Sequence, residues 1–77
     1  MDINENKIDK VVLALLYLSF HSENEAVRAW KSFDWDAMDR LHQKGFISDP
    51  KSKSKSVLMT EAGQKTAKEL FEKYFCS

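Results

Sequence analysis

Residues 41–63 read LHQKGFISDPKSKSKSVLMTEAG, and this stretch decides the fold. Its pattern predicts a helix end, a stop at Gly45, a short strand at 46–48, a polar tip and a returning strand at 56–60. Thr60 then caps a final helix. Because Pro50 cannot donate to a strand ladder, the first strand ends before it. The stretch therefore predicts a two-stranded antiparallel hairpin, or wing, between two helices.

Upstream of this stretch the sequence predicts three helices, at residues 4–20, 23–32 and 35–44. Asp2 or Asn4 can cap the first helix. Ser22-Glu23-Asn24-Glu25 matches the capping box, in which a Ser side chain and a Glu side chain satisfy each other's backbone N–H groups. This match places the start of the second helix.

The third helix is predicted to begin at Asp34, a good N-cap residue, with Phe33 packed on Met38 as a hydrophobic staple. The last helix follows Thr60. The predicted order is α-α-α-β-β-α, a mainly α (α+β) winged helix-turn-helix that forms one domain over residues 1–77.

Composition narrows the function classes. The 77 residues carry twelve basic and twelve acidic side chains, so no overall cationic field attracts nucleic acid. Residues 1–49 are net −3 and residues 50–77 are net +3. The apolar run at 11–20 is shorter than the roughly 20 residues that a membrane span needs. With one cysteine, Cys76, no internal disulfide can form. We expect a cytoplasmic protein with no membrane association.

The sequence gives no reason to expect an enzyme. His21 and His42 lack Cys, Asp or Glu partners at the spacing of a metal site or a catalytic triad. With two glycines in the chain, no Gly-rich phosphate loop is present. We predict no catalytic residues, no metal ligands and no cofactor.

Two resemblances follow from these residues. Leu41-x-x-x-Gly45-Phe46-Ile47 and Leu58-Met59-Thr60-Glu61-x-Gly63 resemble the segments that flank the wing in winged helix-turn-helix regulators of the multiple-antibiotic-resistance and phenolic-acid repressor types. The whole chain is more similar to a family of small single-domain bacterial proteins of unknown function. The stretches that carry this second resemblance are ALLYL (14–18), RAWKSFDWDAMDRLHQKGFISDP (28–50) and KSKSVLMTEAG (53–63).

The first resemblance implies that the third helix enters the DNA major groove and that the wing touches the backbone or the minor groove. Arg40 and Gln43 are the side chains that could read bases, because these types pair with guanine and adenine. Acidic Asp36 and Asp39 lie beside them and oppose phosphate. The residues predicted to contact nucleic acid are Arg40, Gln43, Lys44, Lys51, Lys53 and Lys55. The expectation is a weak or non-specific DNA-binding, regulator-like module.

The first helix is apolar on nearly all sides, so either a partner or the rest of the domain must cover it. The first alternative is a homodimer with an interface formed by Leu13, Leu16, Tyr17, Phe20, Tyr74 and Phe75. The second is a central helix enclosed by its own domain. A protein-interaction module that binds no DNA, whether a homodimer or an adaptor for an unknown protein partner, is the alternative function. Its support is the apolar first helix, the aromatic pair Trp30 and Trp35, and the acidic third helix.

Overall fold

The elements of the chain follow the order α-β-β-α-β-α in a computed structural model that describes residues 1–32 and 34–76. They are α1 (Glu5–Leu16, followed by a 3-10 turn, Tyr17–Ser19), β1 (His21–Glu23), β2 (Ala26–Trp30), α2 (Trp35–Gln43), β3 (Ser56–Leu58) and α3 (Glu61–Phe75). The strands form an antiparallel sheet in the order β1-β2-β3, so β2 is central. The α+β class is confirmed.

The predicted second helix at 23–32 is wrong, because these residues form most of a β-hairpin. Asn24 and Glu25 are its turn, with φ of 53° and 66°. Positive φ at both central residues is what a type I′ hairpin turn requires. A cap contributes only about 1 kcal/mol, whereas β2 pairs along both edges, with Ala29 opposite Val57 on one of them. Within the described residues, α2 is therefore not preceded by the first helix of a helix-turn-helix.

The other helix starts agree with their sequence signals. The side chain of Asn4 accepts a hydrogen bond from the Lys7 backbone N–H at 3.1 Å and begins α1, which is shorter than the predicted 4–20. Asp34 caps α2 in the same way, accepting from the Ala37 N–H at 3.2 Å. The staple predicted for Phe33 lies outside the described residues.

The predicted hairpin at 46–60 is present but belongs to a larger sheet. Gly45 ends α2 with φ of +82°, as expected. Ile47 and Met59 then form an isolated antiparallel bridge, supported by a bond of 2.9 Å from the Ser48 N–H to the Leu58 carbonyl. β3 pairs on its other side with β2. The returning strand is therefore shared between the predicted wing and the β1–β2 hairpin that the sequence patterns missed.

Thr60 fastens α3 to the end of α2. Its hydroxyl accepts from the Gly63 N–H at 2.9 Å and donates to the Gly45 carbonyl at 2.7 Å. Gly63 lies against the backbone carbonyl of Phe46, where a side chain would collide. The core that results is formed by Leu13, Leu16, Ala29, Met38, Leu41, Ile47, Val57, Met59 and Ala67.

Candidate nucleic-acid interface

Residues 49–55, here called the lysine loop, connect the two limbs of the hairpin. Pro50 is buried at the start of the loop. Asp49 closes the turn, because its Oδ1 accepts from the Lys51 N–H at 2.9 Å. Lys51, Lys53 and Lys55 are exposed. The loop thus presents three ammonium groups from one short segment.

Lys31, directly after β2, adds a fourth ammonium group. Its backbone N–H donates to the Lys55 carbonyl at 3.1 Å, which continues the pairing of β2 with β3 by one residue. Its Nζ donates to the Ser52 carbonyl at 2.7 Å and lies 5.9 Å from the centroid of the Trp35 ring. Lys31 therefore joins the lysine loop to the start of α2.

Between the lysine loop and α2 lies a shallow groove with a volume of about 480 Å³, here called the lysine groove. It is lined by Lys31, Ser32, Trp35, Ser52, Lys53, Ser54 and Lys55. The Trp35 side of the groove is open, since 59% of this residue is exposed. The groove therefore combines cationic groups, hydroxyls and one accessible aromatic ring.

Arg28 holds the base of the lysine loop in place. Its Nε donates to the Ser56 hydroxyl at 2.6 Å, and its Nη2 donates to the Ser56 carbonyl at 2.9 Å and to the Ser54 hydroxyl at 3.3 Å. Sequence reasoning missed the parts that Arg28 and Lys31 play here. The available signal was the pair of strand-favouring residues Val27 and Trp30 in AVRAW at 26–30.

The basic residues predicted on α2 are bound to a carboxylate of α1. Arg40 donates from Nε to both Asp9 oxygens at 2.9 Å and from Nη2 to Oδ1 at 2.7 Å, and its Nη1 donates to Glu5 at 2.9 Å. Lys44 Nζ donates to Asp9 at 3.1 Å. Gln43 is exposed. Arg40 and Lys44 thus have an intramolecular partner, which a base or phosphate would have to displace.

Asp9 stays ionised in this environment. Burial, at 1% exposure, raises the pKa of Asp9, but the hydrogen bonds and the positive charges of Arg40 and Lys44 together outweigh this effect and leave its pKa below the ordinary value. The same bond raises the pKa of Arg40. The cluster is therefore a charged joint between α1 and α2.

The residues predicted for a dimer interface divide between core and surface. Leu13 and Leu16 are 1% and 4% exposed and belong to the core, so they are not available to a partner. Tyr17 is half-buried and packs edge-on against Phe20 with ring centroids 5.1 Å apart. Phe75, at 49%, is exposed. Tyr74 is half-buried beside it, with ring centroids 6.3 Å apart.

A different face of α1 is apolar and open. A groove of about 430 Å³, here called the α1 groove, runs along this face. Its lining consists of Asn4, Lys7, Ile8, Val11, Val12, Leu15 and Asp34. Leu15 is 45% exposed. A second hollow, of about 270 Å³, continues from Val12 and Leu15 to Trp30 and Lys31. The enclosed-helix alternative thus holds for one side of α1 and leaves this side uncovered.

In residues 1–32 and 34–76, no helix has the length and apolar character to cross a membrane. No group of three or more His, Cys, Asp or Glu side chains in those residues is arranged to hold a metal ion.

Comparison with known proteins places the chain in a family. The family described as "Domain of unknown function (DUF6429)" matches residues 4–77. The chain belongs to the DUF6429 family. The predicted likeness to a family of small proteins of unknown function is confirmed. This DUF6429 chain is also 51% identical over 75 residues to "Uncharacterized protein y4hR" of Sinorhizobium fredii (strain NBRC 101917 / NGR234), covering 97% of each chain. No solved structure matches it significantly.

Proposed function

We propose that this DUF6429 protein is a small module that binds nucleic acid weakly and without sequence preference through the lysine groove. The observation that carries the proposal is the position of Lys31, which joins Lys53 and Lys55 in one concave cationic surface, with Lys51 exposed in the same loop. Lysine side chains bind phosphate as point charges and carry no sequence information. In the winged-helix regulators that residues 41–63 resemble, the wing touches the DNA backbone or the minor groove.

The geometry favours phosphate contacts over base reading by α2. Arg40 would have to leave Asp9 to reach a base, and the buried carboxylate would then lose three of its hydrogen bonds. Asp36 is exposed in the first turn of α2 and repels phosphate on that side. Gln43 remains available at the surface. We infer a backbone-dominated, low-affinity contact centred on the lysine loop.

The test is a titration of fluorescent nucleic acid by the protein at several salt concentrations. Four phosphate contacts give a slope of log K against log salt of about −3.6 for duplex DNA, at roughly 0.9 per contact. Lys51/Lys53/Lys55→Ala should weaken binding and reduce the slope to about −0.9.

The matched control is Lys65/Lys68/Lys73→Ala, which removes the same charge from exposed positions on α3. Its binding and slope should change little. Equal losses in both triple variants would mean that overall charge, and not the lysine groove, governs binding. An absence of binding at low salt would refute the proposal.

A second candidate function is protein interaction through the α1 groove, with a second copy of this chain as the occupant. The groove is bordered by one cation, Lys7, and one anion, Asp34. In a two-fold dimer the same patch faces itself, so Lys7 of each copy can approach Asp34 of the other. The net charge of zero adds no repulsion between copies. This dimer differs from the predicted one, because its contacts are Val11 and Leu15 in place of Leu13 and Leu16.

Light scattering as a function of concentration tests this candidate. The unmodified protein should be dimeric at high micromolar concentration, and Leu15→Glu should be monomeric. Leu18→Glu is the control, because Leu18 is 69% exposed and lies outside the α1 groove. A monomer at all concentrations, or equal effects of the two substitutions, would exclude the dimer. If the dimer forms and no nucleic acid is bound, interaction alone is the function.

A further inference from the structure

We propose that the ligand of the lysine groove is single-stranded nucleic acid, with one unpaired base stacked on the indole of Trp35. This inference rests on the proposed function and names its substrate class. Its starting observation is that Trp35 is 59% exposed in the wall of a cationic groove.

The fold does not require a tryptophan at this position. Trp35 is the first residue of α2, and the helix packs on the core through Ala37, Met38 and Leu41. The cap is supplied by Asp34. Tryptophan normally buries a large apolar area, so one left mostly open at a helix start has a surface available for another flat group.

The groove offers the two contacts that single-strand binding surfaces combine. Such surfaces use basic side chains along the backbone and aromatic rings on which bases stack. Here Lys53 and Lys55 line one wall, Trp35 lines the other, and Lys31 lies between them. The volume of about 480 Å³ is within the range of clefts that hold small organic ligands. One nucleotide is the unit that this groove would hold.

Charge fixes the orientation of the strand. Asp36 is exposed in the first turn of α2, next to Trp35 but outside the lining of the groove, and its charge disfavours phosphate near the start of α2. The lysine loop on the opposite side attracts it. The phosphates therefore lie along the lysine loop, and the base points towards Trp35. A duplex cannot adopt this arrangement without unpairing, because its bases are stacked on each other and its second backbone would approach Asp36.

An acidic peptide is the other class of ligand that the lysines could attract. One face of the Trp35 ring already has Lys31 Nζ over it, 5.9 Å from the centroid, so a base would stack on the other face. An acidic peptide would use the ammonium groups but would leave that other face unpaired, since carboxylates gain nothing from the negative face of an aromatic ring. The accessible indole therefore favours nucleic acid.

The experiment uses Trp30→Phe, in which Trp35 is the one remaining tryptophan. A mixed-sequence 12-nucleotide single strand, the duplex of the same sequence and a poly-glutamate peptide are titrated at low salt. The single strand should bind more tightly than the duplex and should quench Trp35 fluorescence. Removing a stacked aromatic weakens base binding by about 5- to 150-fold. Trp35→Ala should therefore weaken binding of the single strand by a factor in this range. Trp35→Phe should recover part of it.

The salt slope separates stacking from charge. Trp35→Ala should keep the slope of the unmodified protein, whereas Lys51/Lys53/Lys55→Ala should reduce it. Equal or tighter duplex binding with unchanged fluorescence would overturn the stacking inference and leave the proposed function standing. Tighter binding of poly-glutamate than of the single strand would also overturn it. If neither the single strand nor the duplex binds, both the stacking inference and the proposed function are refuted. Circular dichroism of each variant verifies that it is folded.

Discussion

The carboxylate of Asp9 and the guanidinium of Arg40 form a forked ion pair between α1 and α2, with N–O distances of 2.7–2.9 Å. Asp9 is 1% exposed, whereas the Arg40 side chain retains 25% exposure. The cost of breaking the pair therefore differs between the two partners. A released Arg40 can turn to water, but a released Asp9 remains buried.

Substitutions in this cluster should reveal that asymmetry. Arg40→Met should lower the free energy of unfolding most, because it leaves a buried carboxylate with Lys44 as its remaining side-chain partner. Asp9→Asn should cost about 1–3 kcal/mol through weaker hydrogen bonds. Lys44→Met should cost about 1 kcal/mol or less, since its side chain is 40% exposed. Urea unfolding at pH 7 measures all three. A larger loss in Lys44→Met than in Arg40→Met would contradict the assignment.

Acid should weaken the ion pairs of Asp9 with Arg40 and Lys44. The pKa of Asp9 is lower in the folded chain than its ordinary value of 3.8, so its ionisation stabilises the fold above that pH. The stabilisation should be constant at neutral pH and disappear as pH falls through the folded pKa. The difference in unfolding free energy between the unmodified protein and Asp9→Asn should therefore narrow below about pH 4. A difference that stays constant down to pH 2 would show that Asp9 is not the responsible group.

The two glycines should respond to alanine for different reasons. At Gly63 a Cβ would collide with the Phe46 carbonyl, and a backbone atom cannot turn away. Gly63→Ala should therefore cost about 1–3 kcal/mol through overpacking, despite the better helix propensity of alanine. Gly45 has open space but φ of +82°, so Gly45→Ala should cost about 1–2 kcal/mol of backbone strain.

Asparagine distinguishes the two causes, because it tolerates positive φ but is larger than alanine. It should be milder than alanine at Gly45 and more harmful than alanine at Gly63. Thermal unfolding is a sufficient measurement, since 1 kcal/mol shifts the midpoint by roughly 4–8 °C in a domain of this size.

The β1–β2 turn offers a stabilising substitution. Glu25 has φ of 66°, which costs a residue with a side chain about 1 kcal/mol. Glu25→Gly creates the Asn-Gly pair that type I′ turns prefer. We expect a gain of about 1 kcal/mol in unfolding free energy. Glu25→Ala is the control, because it removes the carboxylate but keeps the strain, and it should bring no comparable gain.

Local signals predicted the parts of this fold that depend on neighbouring residues. The caps at Asn4, Asp34 and Thr60 and the stop at Gly45 need information from a few positions only, and the structure confirms each of them. The turn at Asn24-Glu25 was missed because it lacks the usual glycine and because Ser22 and Glu25 imitate a helix start.

The candidate site was predicted in part for the same reason. Lys51, Lys53 and Lys55 alternate with serines within five residues and are visible in the sequence. Lys31 joins them through the pairing of β2 with β3, in which Trp30 lies opposite Ser56, 26 positions later in the chain. Arg40 is drawn to Asp9 across a separation of 31 residues. Neither association follows from periodicity, because both depend on which elements meet in the folded domain.

The central position of β2 has a consequence for how the chain folds. β3 has the pattern of the second limb of a local hairpin, yet its main partner is a strand made nearly thirty residues earlier. A synthetic peptide of residues 41–63 should therefore remain largely unstructured, since an isolated two-stranded hairpin is marginal in water. In the full chain, we expect the lysine loop to become ordered after the Asn24-Glu25 hairpin has formed, because β2 is the template on which β3 pairs. Slowing that early turn should delay the appearance of the basic surface itself, and stopped-flow refolding of turn variants would show the delay.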